Sequence, residues 1–177
     1  MLSLLTAHAI RKAITQGDLS IEPFDESRLN PNSYNLCLGD TVKIYTSNFL
    51  DPKTENPTKT IPIPEKGLIL HPGEIYLAST VEYTKCGKYI ACIDGRSSIG
   101  RLGMQVHLTA GFGDIGFEGK WTLEISVIKP VRVYPGMEIC QIYFEAPEGQ
   151  IDRMYRGKYM YQDEPVESRM YKDFNNE

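Results

Sequence analysis

The sequence predicts a mainly β domain, a sandwich, jelly roll or distorted barrel, with one helix near its N-terminus. Three observations carry this expectation. The run 120–128 alternates cleanly, with Trp121, Leu123, Ile125 and Val127 on one face and Thr122, Glu124 and Ser126 on the other, the period of a half-buried strand. Proline–glycine pairs stand directly ahead of apolar runs: Pro72-Gly73 before Ile75 to Val81, and Pro135-Gly136 before Glu138 to Phe144. Convincing helical periodicity is confined to residues 6–16. Many short strands with turn punctuation bury their apolar faces best in two packed sheets or in one sheet curled on itself.

Each element has its own local reason. Thr6 is a suitable N-cap, Ala7, Ile10, Ala13 and Ile14 share a face, and Gly17 stops the helix. Tyr34 to Leu38 and Thr41 to Tyr45 read as two strands flanking a Gly39-Asp40 turn. Residues 46–67, rich in Pro, Thr, Asn and Lys, read as a surface excursion. The last thirty residues are polar and Tyr-rich without strong periodicity, the composition of a tail that orders on a partner or ligand. Residues 1–177 are expected to form a single domain, with 150–177 as that tail.

A chain of 177 residues can bury a real core without staples. A net charge of −4 argues against a protein that lives on polymeric nucleic acid, but a few local arginines suffice for a mononucleotide. No run approaches 18 consecutive apolar residues, so no membrane span is expected. Met1 to Leu5 lacks a basic n-region and a long apolar segment, so a secretory signal is not expected. Cys37, Cys86, Cys92 and Cys140 lie far apart and read as reduced, mostly buried thiols, which makes the cytoplasm the expected compartment.

Three motifs fail on context. Gly111-Phe112-Gly113-Asp114-Ile115-Gly116 spells G-x-G-x-x-G, but the next element reads as a strand, where a dinucleotide site needs a helix. Gly119-Lys120 imitates the end of a P-loop, yet Trp121 replaces the hydroxyl residue. Zinc-dependent base deamination asks for H-x-E and then P-C-x-x-C, and neither pattern occurs around His8, His71 or His107. A lone histidine is more often structural, and these three are read that way.

The segment Asp94-Gly95-Arg96-Ser97-Ser98-Ile99-Gly100-Arg101 is more suggestive. Arginine forks, serine hydroxyls and glycine-permitted backbone approach suit phosphate oxygens. Composition alone leaves a solvated loop with incidental arginines equally open. Glu124 stands mid-strand opposite four apolar neighbours: a solvent-facing residue by pattern alone, or a pocket carboxylate placed to shuttle a proton. Asp114, among glycines, is by default a turn residue.

Together these pieces resemble the dCTP deaminase family of the dUTPase superfamily, over nearly the whole chain. Asn30-Pro31-Asn32-Ser33-Tyr34-Asn35-Leu36-Cys37-Leu38-Gly39 resembles the family's early P-x-S-x-D-L-x-L-G segment. Gly95 to Arg101 is similar to its G-R-S-S-x-x-R loop, and Thr109 to Phe117 with Thr122-Leu123-Glu124 to its central block. Gly157-Lys158-Tyr159 with Gln162 resembles its closing tail. Asn35 departs from the family's Asp, and Tyr155 stands closer to Lys158 than in longer-tailed members.

The resemblance implies a dUTPase-like distorted jelly roll or β-barrel that works as a homotrimer with sites shared between subunits. It implies Glu124 as general acid/base, with Ser97 and Arg101 positioning the attacking water and Asp114 holding the deoxyribose. Arg96, Ser98, Ile99 and Gly100 would contact the nucleotide, Thr122 and Leu123 would read the base through their main chain, and Gln141 would lie at the triphosphate. Tyr155, Lys158 and Gln162 would close over it. Mg²⁺ would arrive on the phosphates of dCTP or dUTP, with no zinc and no protein cage. Members that stop at dUTP typically read T-A-H-R-I-D-P-G-W at the central block and carry Ala at the position of Gln141. Gly111 and Gln141 resemble instead the branch that continues to dUMP, and a small Gly111 is expected to leave room for a hydrolytic water. A dCTP deaminase that stops at dUTP, a plain dUTPase and a non-catalytic nucleotide-binding β-domain remain the alternatives.

Overall fold

The computed structural model describes residues 3–175. In chain order, β1 (Ser3–Leu4) leads into α1 (Ala7–Gln16), β2 (Leu19–Glu22), a 3-10 turn (Glu26–Arg28) and β3 (Tyr34–Tyr45). Next are β4 (Thr58–Pro62), β5 (Leu68–Leu70), β6 (Tyr76–Cys86) and β7 (Ile90–Gly95). Then come the short α2 (Ser97–Gly100), β8 (Met104–Gln105), β9 (Glu118–Val127), β10 (Val131–Val133), β11 (Glu138–Ala146) and α3 (Tyr171–Asn175).

The expected helix is α1. Thr6 accepts a long 3.4 Å bond from Ala9 N–H, Gly17 closes the helix at φ 74°, and Ile10 and Ala13 are buried. The main sheet is antiparallel, ordered β1-β11-β3-β6-β9-β8, with β2 added to β6, β4 to β3 and β7 to β11. A separate ribbon pairs β5 with β10. β9 keeps strict alternation along its length, so Trp121, Leu123, Ile125 and Val127 enter the core as the sequence predicts.

β3 differs from expectation, being one continuous strand where two were expected. Its first half pairs with β11 and its second with β4 and β6, with a register shift between Leu38 and Val42. A strand that changes partners through a bulge turns the corner of a curled sheet. Gly39 sits at that corner, where an added Cβ would lie 2.8 Å from Ser79 Oγ. The glycine permits close approach of β6; it does not mark a turn. The 46–67 excursion likewise contains β4, recruited by β3.

The core gathers Leu36, Leu38, Leu123, Ile125, Ile139 and Phe144, all fully buried. One charged side chain joins them. Glu82 is completely buried, pairs with Arg28, and accepts the Cys37 N–H at 2.9 Å. Arg28 in turn lies over the Tyr34 ring, 5.6 Å from its centroid. All four cysteines are buried, and burial pushes the Cys37 and Cys86 thiols up to about 11. No helix among the described residues is long and apolar enough to cross a membrane.

Candidate active site

The outward face of β9, the loop before it and the C-terminal segment enclose a cavity of about 560 Å³. Alternation along β9 turns Glu124 and Thr122 into this space while Leu123, between them, is buried. The Glu124 side chain is 29% exposed, and its Oε2 accepts the Leu108 N–H at 3.3 Å. His107 Nδ1 lies 3.7 Å from the same oxygen. The imidazole does most to hold the Glu124 carboxyl below the usual carboxylate range, and the Leu108 and Thr109 N–H groups act in the same sense, against the upward push of burial.

His107 is a site residue that sequence reasoning treated as structural. Its two ring nitrogens are buried and have no hydrogen-bond partner among the described residues. Orphaned buried polar atoms are rare in folded proteins and concentrate where function requires them. The available signal was its place in the alternating run Met104-Gln105-Val106-His107-Leu108, on the polar face and two residues before the Thr109-Ala110 segment.

Asp114 is exposed on the loop before β9 and lines the cavity. That loop is pinned to β7 by Ile93 N–H to Gly111 O at 2.7 Å and Gly113 N–H to Ala91 O at 2.8 Å. A Cβ at Gly111 would sit 2.4 Å from the Ile93 carbonyl oxygen, and one at Gly113 2.4 Å from the Trp121 ring. Gly111 therefore faces β7 and not the cavity. Its small size lets the loop lie against a strand, and the expected space for water is not found there.

The C-terminal segment docks back on the body of the chain. Tyr155 N–H donates to Ile115 O at 2.7 Å, and Tyr161 N–H to Glu118 O at 2.8 Å. Gln162 clasps the edge of β9 at Lys120: its carbonyl accepts the Lys120 N–H at 2.8 Å, and its Nε2 donates to Lys120 O at 2.7 Å. Gly119, at φ 152°, allows this approach. Thr122 Oγ1 donates to Gln162 Oε1 at 3.4 Å and accepts the Val166 N–H at 3.1 Å. Tyr155, Tyr159 and Gln162 thus form part of the cavity wall. Lys158 does not; it pairs with Asp173.

The remaining residues singled out in the sequence lie elsewhere. Arg96 grips Glu138 twice, Nη1 to the carbonyl and Nη2 to Oε2, each at 2.9 Å. Ser97, Ser98, Gly100 and Arg101 are not buried, whereas Ile99 is, so its side chain anchors α2. The main chain of Leu123 is opposite Ala78 in the β6–β9 ladder. Gln141 accepts from Ser33 Oγ at 2.7 Å and donates to Gly95 O at 2.9 Å. Residues 96–101 and Gln141 do not line the cavity. Within one chain the carboxylate cavity and the arginine-serine corner are therefore two separate places.

A curled antiparallel sheet with a carboxylate held below its usual range inside a cavity of this size has the form of a small-ligand site that includes a group able to exchange protons. Comparisons with known proteins narrow it. Residues 4–146 match the family model described as dCTP deaminase-like, and the chain belongs to that family. A relative from Clostridium beijerinckii, named dCTP deaminase, dUMP-forming, is 54% identical over 157 residues, spanning 89% of this chain and 91% of the relative. One of the same name from Leptospira biflexa is 50% identical over 171 residues, 97% and 98% of the two chains. The crystal structure of 2′-deoxycytidine 5′-triphosphate deaminase from Agrobacterium tumefaciens shares the fold, with a TM-score of 0.64 and 24% identity. It matches 82% of this chain, which spans 49% of that longer one.

Proposed function

We propose that this protein deaminates dCTP and carries the nucleotide on to dUMP, releasing ammonia and pyrophosphate. The observation that carries the reading is Glu124, held ionised inside a cavity by His107 and two backbone N–H groups. High identity over nearly the whole chain to relatives named dUMP-forming dCTP deaminases supports it.

In this reading Glu124 takes a proton from water as the oxygen bonds to C4 of cytosine. It delivers that proton to N3, then takes the remaining proton from the new C4 hydroxyl and passes it to the exocyclic amine; C4=O forms as the C4–N bond breaks and ammonia leaves. Thr122 and Leu123 hold the base through their main chain. Asp114 binds the deoxyribose 3′-OH and orients a second water toward the α-phosphorus, where a new P–O bond forms as pyrophosphate departs. Mg²⁺ enters as part of the substrate, on phosphate oxygens. No zinc is needed.

The two half-sites give this proposal its quaternary form. Ser97 and Arg101 would position the attacking water from a neighbouring subunit, with Arg96, Ser98, Ile99, Gly100 and Gln141 toward the phosphates. A homotrimer with shared sites would bring these to Glu124 of the next copy. Residues 150–177 would act as the closing tail of a single domain, with Tyr155 and Gln162 in the wall and Lys158 exchanging Asp173 for phosphate. Such an enzyme would work in the cytoplasm.

The deciding experiment incubates the protein with dCTP and Mg²⁺ in the presence of a zinc chelator and separates the products. dUMP, ammonia and pyrophosphate in equal amounts are expected. Stable dUTP would remove the second step, and no ammonia at all would remove the first. Light scattering near three times 20.0 kDa is expected of the active species; an active monomer would contradict shared sites.

A further inference from the structure

Outside the cavity, one buried polar network ends on a residue of the proposed site. β11 carries a register shift between Glu138 and Cys140 against β3. Ile139 and Cys140 are both fully buried, so alternation slips by one and Glu138 emerges on the same side as Gln141. Both side chains thereby meet the start of the 95–101 loop, Gln141 at Gly95 and Glu138 at Arg96. Behind Glu138 stands Asn35, 7% exposed, whose Nδ2 donates to Glu138 Oε2 at 2.8 Å. Asn30 donates to Asn35 Oδ1 at 2.8 Å, which fixes the amide with its N–H₂ toward Glu138.

We infer that Asn35 is a positioning residue for phosphate recognition: by donating to Glu138 it sets the carboxylate that clamps Arg96. The inference rests on the reading of Arg96 as a nucleotide ligand. The same oxygen, Oε2, receives both Asn35 and Arg96. A guanidinium has five N–H donors, so two spent on Glu138 leave three to present outward in a fixed plane. Opposite Glu138, aspartate at position 35 cannot perform this task. It would set two carboxylates within hydrogen-bond distance, where one must be expelled or protonated, and would add negative charge beside a polyanion site. Asn35 and Glu138 are a matched donor–acceptor pair.

The test is a double-mutant cycle on the full-length protein. Asn35→Asp should raise KM for dCTP about tenfold or more, the scale of a displaced charge-assisted bond, with kcat changed far less. The inhibition constant of inorganic tripolyphosphate, which has no base, should rise in parallel. Asn35→Asp with Glu138→Gln restores the net charge and lets the amide donate to the new carboxylate at position 35, but the same atom cannot then accept from Arg96, so it should recover about threefold of the loss in both constants without reaching wild type. Should Asn35→Asp alone fail to fold, Asn35→Ala, neutral and smaller, supplies the single-mutant arm with the same expected direction. An unchanged KM in a folded single variant, or a double variant no better than Asn35→Asp, overturns the inference. Wild-type protein that binds tripolyphosphate but never deaminates dCTP would instead overturn the function on which it rests.

Discussion

Oε2 of Glu124 faces the His107 Nδ1 at 3.7 Å on one side and accepts the Leu108 N–H at 3.3 Å on another. Residues adjacent in sequence thus flank a carboxylate sixteen or more positions away, because the segment after β8 runs beside β9 and its Val106 carbonyl takes the Glu124 N–H at 3.1 Å. The consequence is a base that stays charged in spite of partial burial.

Glu124→Gln should abolish ammonia release while nucleotide binding survives. The amide keeps the shape but cannot accept and return a proton, a role worth roughly 10² to 10⁴ in rate. Single-turnover ammonia release alongside dCTP affinity checks it. A variant that keeps more than about a tenth of wild-type deamination would strip Glu124 of its role.

His107→Phe should move the acid limb of kcat/KM to higher pH. The imidazole is the leading cause of the lowered Glu124 pKa, and burial, now opposed only by backbone N–H groups, pushes the other way. The sign is fixed by linkage: a depressed carboxylate contributes stability above its unfolded pKa, lost as pH falls through the folded one. The variant should therefore also lose part of the stability that the wild type holds above about pH 4, the range of a free glutamate, and show less of a fall as pH drops below it. A pH–rate profile with an unmoved acid limb would contradict this.

Arg28→Met should destabilise the fold by about 3–5 kcal/mol, since it strands a fully buried Glu82 without its cation. Pairing it with Glu82→Met should recover much of the loss, as apolar replacement of both partners often does. Urea midpoints of the two single variants and the double variant decide the matter; a near-neutral Arg28→Met would show that the Arg28–Glu82 pair does not hold this part of the core.

Truncation before Tyr155 should depress turnover well beyond its effect on stability. The Tyr155 ring centroid lies 6.2 Å from that of Phe117 and the segment bonds to β9, so a modest fall in melting temperature is expected too. The cavity, however, loses Tyr155, Tyr159 and Gln162 from its wall. Normal dCTP turnover by the truncated chain would end the closing-tail idea.

By itself the sequence determined what depends on local repetition and local backbone chemistry. The alternation of 120–128 placed β9 and both of its faces, and Thr6 with Gly17 bounded α1, because strand and helix periods are properties of neighbouring residues. The four ordered motifs identified the family, and the resemblance singled out Glu124 as a candidate. Tertiary structure alone decided whatever depends on residues distant in the chain. It made β3 a single corner-turning strand, with Gly39 fitted to Ser79 across the sheet. It buried Glu82 against Arg28, 54 positions away. It set His107 beside Glu124, turned Gly111 toward β7, and joined Asn35 to Arg96 through a bulge in β11. None of these has a period or a spacing that a single sequence displays, because each is a contact between strands whose register is set only when the sheet closes.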